Sequence, residues 1–430
     1  MRRVLLGLLL VVAPAAASAA PPPAPEPFFP VWPGRVQEDL SKVQRGFRGE
    51  FAVVLKDLSS GTRYTYNAAT PMYLASGVKI PVMVALFREI EAGRVSLDDE
   101  LVLKPEDVRD GAPLLNYLRV GTPVTVNILL EAMIQQSDNV ATDMIINHIG
   151  VAKVNEALKA EGLAGFGPIT TLLDVRRLVY RNLDPRTTAL SPGDIFALRV
   201  TNPLEARLDK LAEMLGDEPG RYTLADLDRA FRQYYEQGYN SAPLELMAQL
   251  LERIVQGKAV SPRASKAMLE IMQGTQTGAR RVKAGLGADV TLAHKTGTQY
   301  QRTCDFGVFY LAPDRPVVFA IAVKGGSRKA AEAVMAKVAR SAYRHLSGDT
   351  TVEPEPEPIF SDEVRATLDP DELELLDPTA RPGAKKPAAA TKGKKKKRVG
   401  RKAPKKTEAP GAAGAKKAGA PIGDDDGEAL

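Results

Sequence analysis

Cysteine is almost missing: Cys304 stands alone in 430 residues. That excludes an intramolecular disulfide and any multi-cysteine metal site. Histidine is scarce as well. His148, His294 and His345 are far apart in the chain and offer no metal-ligand spacing. Neither a metal nor an organic cofactor is expected. Long apolar runs are also lacking. The run Val4–Val12 is too short to span a bilayer. Arg2 and Arg3 precede it and Ala17-Ser-Ala19 follows, which is the pattern of a cleaved export signal over residues 1–20, with a retained anchor as the alternative. A periplasmic or secreted protein with no transmembrane segment after signal removal is expected.

Acidic residues are missing from one region only. Residues 381–417 carry fifteen Lys or Arg against Glu408 alone. That is a local charge of +14 in a chain of net +6, so the remainder sits near −8. The basicity belongs to a Lys/Ala/Pro-rich tail, which composition predicts to be disordered over 381–430. No aromatics are interleaved with its lysines, so base stacking is not indicated and no specific nucleic acid is expected. Anionic envelope polymers suit an exported chain better, through counterion release. A Pro-rich linker at 21–34 and a stiff acidic Pro/Glu linker at 348–380 flank the globular part.

Between the linkers, composition is that of a globular domain. Phe51–Asp57 and Thr62–Tyr66, separated by Ser59-Ser-Gly61, read as a strand hairpin. Val124–Gln135 reads as a helix with Thr122 as cap and Pro123 at its first position. Val140–Ile149, Val154–Gly162, Ala206–Leu215, Leu224–Glu236, Leu244–Ile254, Pro262–Gln273 and Ser327–His345 read as further helices. Asp98–Asp110 is polar and reads as loop, and Leu172–Arg186 is ambiguous. Strand patterns return at Val290–His294, Phe306–Leu311 and Val317–Val323. Strands at both ends with helices between predict one α+β domain over 35–347, with an antiparallel sheet that joins both ends.

The chain is organised around Tyr73-Leu-Ala-Ser76-Gly-Val-Lys79, which opens a helix apolar at nearly every position from Ile80 to Phe87. A lysine at the mouth of a buried helix is costly unless it is partnered or loses its proton. Residues i and i+3 share a helix face, so Lys79 is placed to reach the Ser76 hydroxyl and activate it. The pair alone also fits a serine cap with a snorkelling lysine. Ser137-Asp-Asn139 forms a polar connection between two apolar helices, which also fits an ordinary capping turn. Lys295-Thr296-Gly297-Thr298 follows a strand pattern.

Taken in order and context, these three motifs make the chain resemble the class A β-lactamase-like serine hydrolases over about residues 35–347. The resemblance implies the β-lactamase/transpeptidase-like fold. It also implies roles: Ser76 as nucleophile, Lys79 in removing its proton, and Ser137 as a proton shuttle tuned by Lys295. It implies Asn139 on the substrate amide, and Thr296 with Lys295 on the substrate carboxylate. The oxyanion hole would be the N–H groups of Ser76 and Thr298, with Gly297 between the two substrate-binding threonines. Two departures stand out. The family's Glu-x-x-Leu-Asn deacylation loop has no counterpart; one alignment places Arg177 near the glutamate, with Asp174 and Asp184 as local carboxylates. A helical insertion at about 201–245 could cover the cleft, bind a partner or be a solvated decoration.

The expected activity is that of an exported serine hydrolase acylated at Ser76 by β-lactams or related amides and esters, which then hydrolyses the acyl-enzyme. The missing glutamate keeps a second reading open: a penicillin-binding D,D-peptidase or esterase-like envelope enzyme with slow or no β-lactam turnover. A third, a non-catalytic envelope-binding protein worked by its tail, is disfavoured by the intact motif trio.

Overall fold

The computed structural model of the chain describes residues 31–348. The expected export signal, most of the expected Pro-rich linker, the acidic stretch beyond Gly348 and the basic tail lie outside the described residues.

Helix α1 (Trp32–Gly46) leads into β1 (Glu50–Asp57) and β2 (Arg63–Tyr66), the expected hairpin. At the other end lie β7 (Thr291–Gln299), β8 (Arg302–Ala312), β9 (Arg315–Lys324) and α12 (Arg328–Ser347). The five strands form one antiparallel sheet in the order β2-β1-β9-β8-β7, so both ends of the domain do meet in it. The pleat sorts side chains onto its two faces. Phe51, Val53, Leu55, Phe319 and Ile321 pack under α1 and α12. Ala52, Val54, Phe306, Val308 and Ala320 face the helical layer.

That layer is built on α2 (Lys79–Glu91), in which every residue from Lys79 to Phe87 is buried. The elements between α2 and β7 surround it. They are β4 (Glu100–Val102), β5 (Pro123–Thr125), α3 (Val126–Gln135), α4 (Asn139–Ile149), α5 (Val151–Ala160), α6 (Leu172–Leu183), α7 (Pro192–Arg199), α8 (Leu204–Met214), α9 (Leu224–Glu236), α10 (Leu244–Val255) and α11 (Pro262–Gln273). No helix among the described residues is long and apolar enough to cross a membrane.

Three local expectations need correction. Pro123 does not open a helix; it pairs with Val102 in a short ladder, and Thr125 caps α3 by accepting from Ile128 N. An extended Pro at a short edge pair loses no needed donor. The polar stretch Asp98–Asp110, read as loop, contains β4. The ambiguous Leu172–Arg186 forms α6 and then a 3₁₀ turn at Pro185–Ala189. The helix starts because Thr171 caps it and Asp143 accepts from Leu172 N and Leu173 N, a tertiary contribution that local pattern cannot show.

The 201–245 insertion is not a solvated decoration. Its last residues form β6 (Ser241–Pro243), which pairs with β3 (Pro71–Tyr73), the strand leading to Ser76. Asn240 O accepts from Leu74 N at 2.9 Å. The buried Tyr73 ring contacts Tyr234 and Tyr235 of α9 at 5.7 and 4.9 Å between centroids. The insertion thus forms a wall against the Ser76 segment.

Candidate active site

Ser76 does not sit on the α-helix proper. It lies in a 3₁₀ turn, Ala75–Val78, with α2 beginning at Lys79. Ala75 before it has φ of +45°, a left-handed conformation that costs energy for a residue with a Cβ and must be held by surrounding structure. The holding is visible. Gly77 carries no side chain because a Cβ there would collide with the Phe306 ring. Gly297 of β7 lies so close that a Cβ would sit 2.8 Å from Ser76 N and 2.9 Å from Leu74 O. The Lys-Thr-Gly strand is therefore seated directly on the Ser76 turn, at a distance only glycine permits.

Ser137, Asp138 and Asn139 approach from the α3–α4 junction. Asp138 is the capping residue: its carboxylate accepts from Ala141 N and from Leu114 N and Leu115 N of the neighbouring loop. The motif is thus a cap and a site at once. Asp138 does the capping, which leaves Ser137 and Asn139 to face the cleft. Ser137 has φ of +61°, a second strained residue.

The two lysines converge on Ser137. Lys79 Nζ donates to Ser137 O at 2.6 Å, to Asn139 Oδ1 at 2.8 Å and to Ser137 Oγ at 3.1 Å. Lys295 Nζ donates to the same Ser137 Oγ at 2.9 Å and to Thr296 O at 2.8 Å. Lys79 is not hydrogen-bonded to Ser76, a difference from the i, i+3 expectation. The three oxygens of the Ser-Asp-Asn segment draw its amine towards α4 instead. Both lysines are fully buried, whereas Ser76, Ser137, Asn139 and Thr298 are part-exposed and form the open edge. Burial, and then the neighbouring Lys295, holds Lys79 well below the usual lysine range. Burial lowers Lys295 to about 7. The three acceptors around Lys79 suit an ammonium, while burial favours the amine.

Sequence reasoning missed several residues that hold this arrangement. Arg281, buried after α11, donates to Gly297 O, Cys304 O and Thr298 Oγ1 at 3.1, 3.0 and 2.6 Å, and pairs with Glu332. Thr277 Oγ1 lies 2.6 Å from Thr296 Oγ1. Asp110 O accepts from Asn139 Nδ2 at 2.7 Å, and its carboxylate is gripped by Arg176 and Arg199. Although burial opposes it, those guanidiniums hold the Asp110 carboxyl well below the usual range. Arg281, Thr277 and Asp110 lie outside the periodic and motif stretches, and Arg176, Arg199 and Glu332 are charged residues of helices that local pattern alone would leave in water. A polar residue in a turn gives no local sign that folding will bury it.

The carboxylates near the α6 region are all committed. Asp143 pairs with Arg109 at 2.8 Å, and Asp174 shares hydrogens with Thr171 at the start of α6. Asp184 caps the following turn and pairs with Arg186. Arg177, aligned with the glutamate position, is 39% exposed and lies 3.9 Å from Asp174. Among the described residues no carboxylate hydrogen-bonds Lys79 or Ser76, and no cluster of side chains could hold a metal ion.

Comparison with known proteins shows the family and the fold. Residues 35–346 match the model of the Beta-lactamase enzyme family. A β-lactamase of Rhodobacter capsulatus is 30% identical over 115 residues, which is 27% of this chain and only 39% of that relative. Beta-lactamase CTX-M-8 of Citrobacter amalonaticus is 23% identical over 72% of this chain and 89% of its own length. Among solved structures, the L158E mutant of PBP-A, an acyl-enzyme complex with penicillin G, superposes with a TM-score of 0.54. It covers 73% of this chain and 97% of that one at 24% identity.

Proposed function

We propose, since the chain belongs to the β-lactamase enzyme family and is a serine hydrolase, that it is acylated at Ser76 by β-lactams and related peptide-like amides and releases the acyl group slowly. This is the penicillin-binding, D,D-peptidase-like reading rather than that of an efficient β-lactamase. The observation that carries it is a Lys79–Ser137–Lys295 hydrogen-bond chain in which, among the described residues, no carboxylate bonds Lys79 or Ser76. The chain serves acylation; a carboxylate would be wanted to activate water for deacylation.

In the forward step neutral Lys79 takes the Ser76 proton as Oγ bonds the carbonyl carbon. The carbonyl π electrons move to oxygen, where the N–H groups of Ser76 and Thr298 receive the charge. Collapse breaks the C–N bond, and the leaving nitrogen takes the Ser137 proton, which Lys79 replaces. Asn139 binds the substrate amide. Thr296, Thr298 and Lys295 take its carboxylate. Gly297 lets β7 approach, and Arg281 fixes the Thr298 hydroxyl. The PBP-A structure, an acyl-enzyme with penicillin G on a similar fold, supports the acylation half of this reading.

The test is intact mass of the full chain mixed with penicillin G, beside a chromogenic cephalosporin assay, with Ser76→Ala as control. A persistent adduct, lost in the control and accompanied by little turnover, is expected. Rapid turnover that depends on Ser76 would replace this reading with that of a working β-lactamase.

The pattern of residues 1–20 supports export to the periplasm or medium, where peptidoglycan-like substrates lie. Fractionation of cells expressing the chain checks this; a wholly cytoplasmic distribution would sink it. The composition of residues 381–430 supports contact with anionic envelope polymers.

A further inference from the structure

Beside Asp110, two of the described guanidinium groups keep a nitrogen without an acceptor. Arg176 of α6, Arg199 of α7 and Arg207 of α8 line a cavity of ≈ 10 Å³, closed by Tyr180, Leu227 and Phe231. Such a volume holds one water-sized occupant and no substrate fragment. Arg176 and Arg199 share a single carboxylate, that of Asp110, at 2.7 and 2.8 Å. Each keeps one buried nitrogen, Nη1, with no hydrogen-bond partner. The Arg199 side chain is only 7% exposed. Arg207 is engaged with Thr201 O, Arg199 O and Asn202 Oδ1, and adds a third positive charge to the same wall.

Buried donors without acceptors are costly, and an uncompensated buried cation more so. Burial and then the neighbouring Arg176 lower Arg199 to about 10, whereas Arg176, although burial opposes it, is held above its ordinary range by Asp110. A lone water could accept a hydrogen bond here but would leave the charge excess in place. Phosphate and carboxylate ligands are too large. We infer that this cavity is a binding site for one small monovalent anion of the halide class, held between Arg176 and Arg199. The anion completes the clamp on Asp110, whose backbone carbonyl orients Asn139 at the cleft. The inference is independent of how Ser76 reacts, since it rests on none of the reacting residues.

The experiment is thermal unfolding of the full chain in sodium chloride or bromide against sodium gluconate at equal ionic strength. Crystals of the same chain grown in bromide complete it. Expected is a Tm higher by roughly 2–5 °C in either halide, with the dependence lost in Arg199→Gln, and an anomalous bromide peak between Arg176 and Arg199. The diffraction result needs no variant to fold and decides the matter. A site with ordinary density and no anomalous signal, a water only, overturns the inference. So does undiminished halide dependence in Arg199→Gln.

Discussion

Ser137 Oγ takes hydrogen bonds from two amines that burial pushes towards neutrality, and this sets how the site answers to pH. Lys295 has a folded value of about 7 against an unfolded value near ~10.4. The folded chain sheds that proton first, so between these values the unfolded chain binds more protons and stability rises with pH. Lys79 is shifted the same way and adds to the rise. Urea unfolding at pH 7 and pH 10 should show the gain, of which Lys295 supplies roughly 4 kcal/mol at most. Lys295→Met should remove that share; an equally steep rise in the variant would mean that Lys295 is charged in the fold. Gly297 permits a sharper test. A Cβ there would sit 2.8 Å from Ser76 N, which would disturb one donor of the proposed oxyanion hole. Gly297→Ala should slow acylation by about 10²–10³-fold, read as the rate of penicillin adduct formation.

At the scale of elements, the site depends on a helix whose start is fixed from outside. Asp143 of α4 accepts from the first two N–H groups of α6 and pairs with buried Arg109. Asp143→Ala would leave a guanidinium without its carboxylate and two helix donors unmet. A loss of about 3–5 kcal/mol is expected, measured by urea unfolding; a loss below 1 kcal/mol would mean that α6 is held by its apolar face alone. Helix α9 joins the β7–β8 turn in a similar way. Tyr235 Oη donates to Tyr300 O at 2.7 Å, Phe231 stacks on Tyr300 at 4.8 Å, and Arg302 lies over the Tyr235 ring at 4.1 Å. The insertion therefore ties the strand before Ser76 to the turn after the Lys-Thr-Gly strand, spanning the two sides of the cleft.

At the scale of the molecule, the described domain and the basic tail are expected to work separately. The tail's charge is concentrated in 381–417, while among the described residues the Ser76 site is built from those between Tyr73 and Glu332. Removing residues 381–430 should leave the rate of acylation by penicillin unchanged and abolish salt-sensitive retention on an anionic polymer column. A truncated chain that folds but acylates poorly would contradict this modular arrangement.

The sequence by itself determined the family, the serine hydrolase class and the broad fold. Ser76, Lys79, Ser137, Asn139 and Lys295 stand in short motifs, and β1, β8 and β9 stand in short apolar runs bounded by turn residues. Tertiary structure alone decided the wiring. It sent Lys79 to Ser137 rather than Ser76, because three oxygens of a segment 58 or more residues away lie nearer its amine. It started α6 with a carboxylate from α4, turned the insertion into a wall of the cleft, and buried Arg281, Asp110, Arg176 and Arg199 where no local pattern marks them. Periodicity and motifs record what a residue prefers among its chain neighbours. Partners brought together by folding leave no such record.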